Sequence, residues 1–276
     1  GREIMYRKSY IFGNKRKDDQ ILVRFDDLYS PSKGYGFFLE SLMDKDAESL
    51  RIPELNNGFE AEFWYLDKEM GKIREDSHGC FLESEDKIPF TFKVDVLNQG
   101  NYQITIGING GETGCKDLMI FSERRRLLEK DICIGQWETK EFTYTVNVCD
   151  FIPRGKEVPY EDKNLDITLI GKNPRISYLH IEEVNLPTIY ITGDSTLTDQ
   201  TGKYPYQPET SYGGWAQFLP YFLNEKVAVS NHAHSGLTTE SFRSEGHYQI
   251  VKKHIKPGDY YFMQFAHNDQ KLDHLK

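Results

Sequence analysis

From Tyr10 to Leu186 the chain alternates apolar and polar residues with a period of two. Tyr102-Gln103-Ile104-Thr105-Ile106-Gly107-Ile108, Phe142-Thr143-Tyr144-Thr145-Val146-Asn147-Val148 and Leu165-Asp166-Ile167-Thr168-Leu169-Ile170 are the cleanest cases. Such a pattern predicts strands with one face on a core and the other toward water. Ile21–Phe25, Phe59–Tyr65, Phe90–Val96 and Ile176–Val184 read as further strands. Asn56-Asn57-Gly58, Asn98-Gln99-Gly100-Asn101, Asn109-Gly110-Gly111 and Gly171-Lys172-Asn173-Pro174 supply the turns between them. Many short strands with few helical runs predict an antiparallel β-sandwich for residues 1–186.

Asn185-Leu186-Pro187 breaks this pattern, because Pro187 has no N–H for a ladder. Residues 187–276 then alternate strand and helix. Thr188–Thr192, Val227–Asn231 and Tyr260–Phe265 are the predicted strands. A kinked helix around Pro220 (residues 215–223) and a helix over Thr239–Lys256 lie between them. Strand-helix-strand order predicts a parallel sheet with right-handed crossovers, and therefore a two-domain chain of 1–186 and 187–276.

Composition narrows the picture. With 38% hydrophobic and 28% charged residues the chain suits a folded protein in water, and it has no apolar run long enough to span a bilayer. No leader-like apolar segment is seen near the start, which leans toward a cytoplasmic location; a removed leader would make the protein a secreted one. Cys80, Cys115, Cys133 and Cys149 lack Cys-x-x-Cys spacing and read as free buried thiols, not a zinc site. No cofactor or metal is implied. The net charge of −9 disfavours nucleic acid. Arg124-Arg125-Arg126, among Glu123, Glu129 and Lys130, reads as a solvated loop or edge. Tyr29, Tyr35, Phe37, Phe38, Trp64 and Trp137 are candidates for stacking on sugar rings, although filling the core is the more ordinary use of each.

The chemistry concentrates at three strand ends. Ser195 follows the first, in Gly193-Asp194-Ser195; the Ser235-Gly236 pair follows the second; Asn268 follows the third. Each alone is an ordinary turn or cap residue. In a parallel sheet, however, the carboxyl ends of the strands share one rim where ligands bind, so residues 41 and 73 positions from Ser195 converge on it. A serine hydroxyl with several converging N–H donors is what acyl transfer needs.

At these residues the chain resembles the SGNH (GDSL-type) hydrolases, and within them the rhamnogalacturonan acetylesterase-like carbohydrate esterases. The matching text is Gly193-Asp194-Ser195-Thr196, Thr198-Asp199, Ser211-Tyr212-Gly213-Gly214-Trp215, Val229–Gly236, Ser241–Gly246 and Gln264–Lys271. The resemblance implies a flavodoxin-like α/β domain behind a galactose-binding-like sandwich, the latter match being looser and including Gly34-Tyr35-Gly36-Phe37. It implies hydrolysis of O-acetyl esters on plant polysaccharide fragments such as pectin, without a metal. Ser195 would be nucleophile and first oxyanion donor, Gly236 the second and the Asn268 side chain the third. Asp194, Asn231, His232, His267 and Asp269 would support them.

Two departures from the family pattern matter. Ala266 stands where the family has Gly, a change expected to be tolerated. The family's base lies in an Asp-x-x-His block, whereas this chain shows only the adjacent pair Asp273-His274 before Lys276. His232, His234 and His267 are poor substitutes, so the chain is expected to be an esterase truncated after its third strand and inactive as it stands. Its exposed third strand is expected to self-associate or to be covered by a segment supplied elsewhere. Two other readings compete: a carbohydrate-binding protein with a degenerate esterase scaffold, and a lipid or thioester acylhydrolase of the same superfamily.

Overall fold

A computed structural model describes residues 5–13, 19–38, 71–152, 157–199 and 213–271. The expected strand Phe59–Tyr65, Trp64, Ser211-Tyr212 and Asp273-His274 lie outside the described residues. The strands up to residue 184 are β1 (Arg7–Phe12), β2 (Ile21–Val23), β3 (Tyr35–Phe38), β4 (Lys72–Asp76), β5 (Gly79–Glu83), β6 (Pro89–Asp95), β7 (Gly100–Asn109), β8 (Cys115–Ser122), β9 (Arg126–Ile134), β10 (Thr139–Val148), β11 (Asn164–Ile170) and β12 (Arg175–Val184). They form two sheets. One runs β10-β7-β12-β1-β2, with β5 joined to β12 and β4 to β5; the other runs β3-β6-β11-β8-β9.

Among the described residues every pairing between these strands is antiparallel except β1 with β2, which is parallel over Tyr10↔Ile21, Ile11↔Leu22 and Phe12↔Val23; an isolated bridge between Leu28 and Phe37 is parallel as well. That corrects a wholly antiparallel expectation. The exception is confined to a three-residue strand at the sheet edge, where few ladder bonds are at stake.

Alternation does position the core. Tyr102, Ile104, Ile106 and Ile108 of β7 are fully buried against Phe90, Phe92 and Val94 of β6 and Leu165, Ile167 and Leu169 of β11. The opposite face of β6 and β11 is also buried, and it is polar. Thr91 and Thr168 share a hydroxyl hydrogen bond of 2.8 Å, and Lys93 Nζ lies 2.6 Å from Asp166 Oδ1. Of the aromatics considered for sugar stacking, Phe37 is in the core, stacked on Phe90 at 5.0 Å. Trp137 is 41% exposed.

Cys80, Cys115 and Cys149 are free and buried. Cys133 is free but exposed, because it occupies a solvent-facing position of β9 between buried Ile132 and Ile134.

The Arg124–Arg126 expectation is also corrected. These residues are 5–7% exposed, because the turn between β8 and β9 packs Arg125 and Arg126 on residues 187–271 and Arg124 on Phe151. Arg125 donates to the Asp199 carbonyl, Arg126 donates to the Val229 carbonyl, and the Arg124 guanidinium lies 4.2 Å from the Phe151 ring centre.

From residue 188 the elements are β13 (Thr188–Gly193), two 3₁₀ turns (Trp215–Gln217 and Leu219–Phe222), β14 (Ala228–Asn231), α1 (Thr239–Ser244), α2 (His247–His254) and β15 (Tyr260–Gln264). The strands form a parallel sheet of order β14-β13-β15. β13 is buried on both faces, as a parallel strand flanked by helical layers should be. Ile189 and Ile191 pack with Leu197, Ala216 and Val229, and Tyr190 packs with Leu237, Phe242 and Val251.

Neither predicted helix is continuous. Pro220, lacking an N–H, lies at the start of the second of two 3₁₀ turns, directly after Leu219, and does not merely kink one helix. Gly246, at φ +95°, separates α1 from α2. β15 exposes Tyr260, Tyr261, Phe262 and Met263, the last at 64%. A groove of about 260 Å³ lies beside it, lined by Phe242, Arg243, Tyr248, Tyr261, Met263 and Phe265 together with Thr239.

Candidate active site

Parallel register sets the three strand ends side by side: Ile191 pairs with Asn231, and Gly193 with Gln264. Ser195, two residues past Gly193, is exposed at this rim. The loop after β14 is tied to β13 by two N–H donations, His232 to the Ile191 carbonyl at 2.8 Å and His234 to the Gly193 carbonyl at 3.2 Å. Gly236 follows in that loop at φ +85°, with nothing within 4 Å of where a Cβ would stand. Its backbone is therefore open to a ligand as well as conformationally dependent on glycine. The loop after β15 is tied to the second loop in turn. Asp269 Oδ1 accepts from Thr239 N at 3.1 Å and from its hydroxyl at 2.6 Å, and buried Asn268 donates from Nδ2 to the Leu237 carbonyl at 3.0 Å.

The supporting residues hold backbone. Asp194, almost fully buried, accepts from Thr196 N (2.9 Å) and Thr196 Oγ1 (2.7 Å), which closes the turn carrying Ser195. Asn231 Nδ2 donates to the Leu197 carbonyl (2.7 Å) and Asp199 Oδ1 (2.9 Å), while its Oδ1 accepts from Ala233 N. Buried His232 meets Ser230 Oγ at 2.8 Å and stacks on Tyr190; buried His234 lies against His247, ring centres 5.0 Å apart. Both imidazoles are thus buried among the elements packed on Tyr190 and α2, and His234 Nε2 has no hydrogen-bond partner among the described residues. His267 is exposed.

The sequence reading missed a polar relay beside Ser195. Trp215 Nε1 donates to Gln264 Oε1 (3.1 Å), and Gln264 Nε2 donates to Thr196 Oγ1 (2.9 Å), whose own proton goes to Asp194. The signal for it was Gln264 itself, a polar residue closing an otherwise apolar strand.

Ala266 adopts φ +108°, a region that L residues other than glycine enter only under strain. Ala266→Gly is expected to stabilise the fold by about 1 kcal/mol, a rise of about 2–4 °C in a melting experiment. An unchanged or lower Tm would show the backbone there to be unstrained.

Burial, and then the Arg124 guanidinium, hold the imidazoles of His232 and His234 well below the usual range. Their folded pKa values lie under the unfolded value of about 6.5, so below that pH the unfolded chain takes up protons that the native protein refuses. Their contribution is fully present above about pH 6.5 and is lost as pH falls from there. The buried carboxyls of Asp162 and Asp199 are shifted upward by burial and act with the opposite sign. The histidine part is therefore read by difference. His234→Phe should flatten the acid-side slope of urea-unfolding stability, between pH 6.5 and 5, by about 1.4 kcal/mol per pH unit. An unchanged slope would count against a neutral His234.

Among the described residues no group of three or more His, Cys, Asp or Glu side chains is arranged to hold a metal ion.

No protein-family model matches the chain. It is 35% identical over 261 residues, 92% of its length, to the uncharacterized esterase YxiM of Bacillus subtilis (strain 168). It is 42% identical over 83 residues, 30% of its length, to the rhamnogalacturonan acetylesterase RhgT of the same organism. The chain spans 57% and 34% of the lengths of these two relatives. A crystal structure of the Bacillus subtilis YxiM protein aligns with 98% of this chain and 66% of that one, at 22% identity and a TM-score of 0.37. The curated relatives are thus rhamnogalacturonan acetylesterases and an esterase, the group that the motif text of residues 187–276 resembles.

Proposed function

We propose, from the premise that this chain is a relative of rhamnogalacturonan acetylesterases, that it is the sandwich and rim-forming part of a carbohydrate O-acetyl esterase. The flavodoxin-like reading of residues 187–276 and the galactose-binding-like reading of the sandwich belong to this proposal. The observation that carries it is the register that sets Ser195, Gly236 and Asn268 on the loops of one rim. Ser195 Oγ attacks the acetyl carbonyl carbon. The oxyanion is met by the N–H groups of Ser195 and Gly236 and by Asn268 Nδ2. The Ser195 proton passes to a general base, the intermediate collapses by breaking the bond to the sugar oxygen, which takes up that proton, and water then cleaves the acyl-serine, releasing acetate and returning a proton to Ser195 Oγ. Preorganised donors of this kind act where charge develops and are present before the reaction begins.

A serine hydroxyl needs a base. The buried rings of His232 and His234 do not supply one on this reading, and neither does the exposed His267. Residues 1–276 alone are therefore expected to turn over an aryl acetate no faster than background. Turnover by this stretch that Ser195→Ala abolishes would place the base within it. For the full-length protein the deciding assay is acetate release from acetylated rhamnogalacturonan compared with acetylated xylan and long-chain acyl esters. Preference for an acyl-chain ester would favour the lipid or thioester reading.

One observation favours a glycan-binding role for the sandwich as a second reading. Exposed Trp137, itself at φ +55°, lies 4.5 Å from the His78 ring and 5.5 Å from the Arg175 guanidinium. An indole braced by these neighbours and still 41% exposed is suited to stack its open surface on a pyranose. Trp137→Ala should then abolish retardation on acetylated pectin in affinity electrophoresis, and equal migration of the two proteins would refute it.

A further inference from the structure

The turn joining β8 to β9 is tight and conformationally unusual. Glu123 and Arg125, neither a glycine, adopt φ +50° and +62°. Outliers of this kind persist only where the surroundings over-determine them, and they are grounds for asking what the turn does. It is anchored in the sandwich, where Glu123 N donates to the Asp166 carbonyl and Asp166 N to Glu123 Oε1, each at 3.0 Å.

Beyond that anchor the turn aims two guanidinium groups out of the sandwich at the segment following Ser195. Arg125 Nη2 donates to the Asp199 carbonyl at 3.2 Å, and the Arg125 carbonyl accepts from Gln217 Nε2 at 2.7 Å. Arg126 Nε is 3.5 Å from Asp199 Oδ2, while its Nη1 donates to the Val229 carbonyl of β14. The same segment is gripped from the other side: Asn231 holds Asp199 Oδ1 and the Leu197 carbonyl, Gly214 N donates to the Thr198 carbonyl at 2.7 Å, and Trp215 N donates to the Thr196 carbonyl at 2.8 Å.

Asp199 is 2% exposed. A carboxylate so removed from water needs cations and N–H donors around it, and here the cations come from the sandwich while Asn231 comes from the parallel sheet. Asp199 is four residues from Ser195, with Leu197 N bonded back to the Asp194 carbonyl at 3.2 Å between them.

We propose that the sandwich is a working part of the site and not only an appendage. Arg126 and Arg125 are positioning residues that hold Leu197–Asp199 against Asn231, and through that segment fix the Asp194-Ser195 turn at the rim. The inference rests on the reading of Ser195 as nucleophile, and its test separates the two.

In the full-length protein, Arg126→Lys and Asp199→Asn are compared with Ile104→Val, a sandwich-core change remote from the clamp. Four quantities are read for each: backbone amide exchange of residues 195–199, Tm, and kcat and KM for an acetyl ester. Arg126→Lys keeps the charge but lacks the planar fork that reaches both Asp199 and Val229. Both clamp variants should speed exchange in 195–199 by about tenfold or more beyond what Ile104→Val produces at a matched Tm. They should also lower kcat by about ten- to a hundredfold with KM within about twofold. Exchange in 195–199 unchanged in the clamp variants, or equally raised by Ile104→Val, overturns the proposal. A wild-type protein without turnover refutes the nucleophile reading alone, because the exchange comparison still decides whether the sandwich holds the segment.

Discussion

Ser195→Ala is expected to remove acetyl-ester hydrolysis by the full-length protein, with a fall in kcat of about 10⁴- to 10⁶-fold. The expectation follows from how covalent catalysis divides the work. Without the hydroxyl no acyl-enzyme forms, and what remains is binding plus the oxyanion donors acting on a water-borne attack. Ser195 is exposed at a turn whose backbone is fixed by Asp194 accepting from Thr196 N and Oγ1. Deleting one oxygen there leaves those bonds untouched, so Tm should move by less than about 2 °C, as for other surface changes. Asn268→Ala provides a graded companion: loss of one donor predicts about a hundred- to a thousandfold fall in kcat. Because Asn268 is buried and bonded to the Leu237 carbonyl, it should also lose some stability. Acetate release measured at saturating substrate checks both. A Ser195→Ala protein retaining more than a few per cent of wild-type kcat would refute the nucleophile assignment.

The candidate residues at that rim were legible because they stand as short polar signatures immediately after apolar strands. What the sequence did not reveal is how the site is supported. Trp215, Gln264 and Thr196 are unremarkable one at a time, and they become a relay only through the register that pairs Gly193 with Gln264. The same holds for Arg124–Arg126. A run of three arginines in an acidic chain looks solvated, and only the turn that directs it at Asp199 and Val229 makes it internal.

Legibility of the sandwich followed the same physical line. Strands such as β7, with Tyr102, Ile104, Ile106 and Ile108 inward, announce themselves by alternation. β1, β3, β4, β5, β8 and β9 went unseen. Lys72-Ile73-Arg74-Glu75-Asp76 is too charged to read as a strand, and β8 and β9 carry bulged registers that spoil a period of two. The helices were read as longer than they are because a period of 3.6 continues across Gly246 although the backbone does not.

The polar side of β6 and β11 leads to the largest expected effect on stability. Lys93→Met should destabilise the folded protein by about 3–5 kcal/mol, the usual cost of breaking a buried pair by removing one partner. Lys93 is 0% exposed and Asp166 3%, and Glu123 and Asp162 are buried nearby. The Lys93 ammonium lies 5.9 Å from the ring centres of both Tyr29 and Phe38. Asp162 is already held well above the ordinary carboxyl range, by burial first and by Glu123 next, with Lys93 working in the opposite direction. Removing the cation therefore takes the ammonium away from Asp166, 2.6 Å from it, and removes from Asp162 a charge that works against its upward shift. A carboxyl raised in the folded state, as Asp162 is, contributes stability that is fully present below about pH 4 and is lost as pH rises. The penalty for Lys93→Met should accordingly be largest at pH 7 and shrink toward pH 4. The volume-conserving double change Lys93→Met with Asp166→Leu should recover most of it, since a packed apolar pair often matches a buried ionic one. Urea unfolding of the three proteins at both pH values checks this. A penalty that is the same at pH 4 and pH 7, or that the second substitution leaves in place, would show that Lys93 acts through its packed stem and not through its charge.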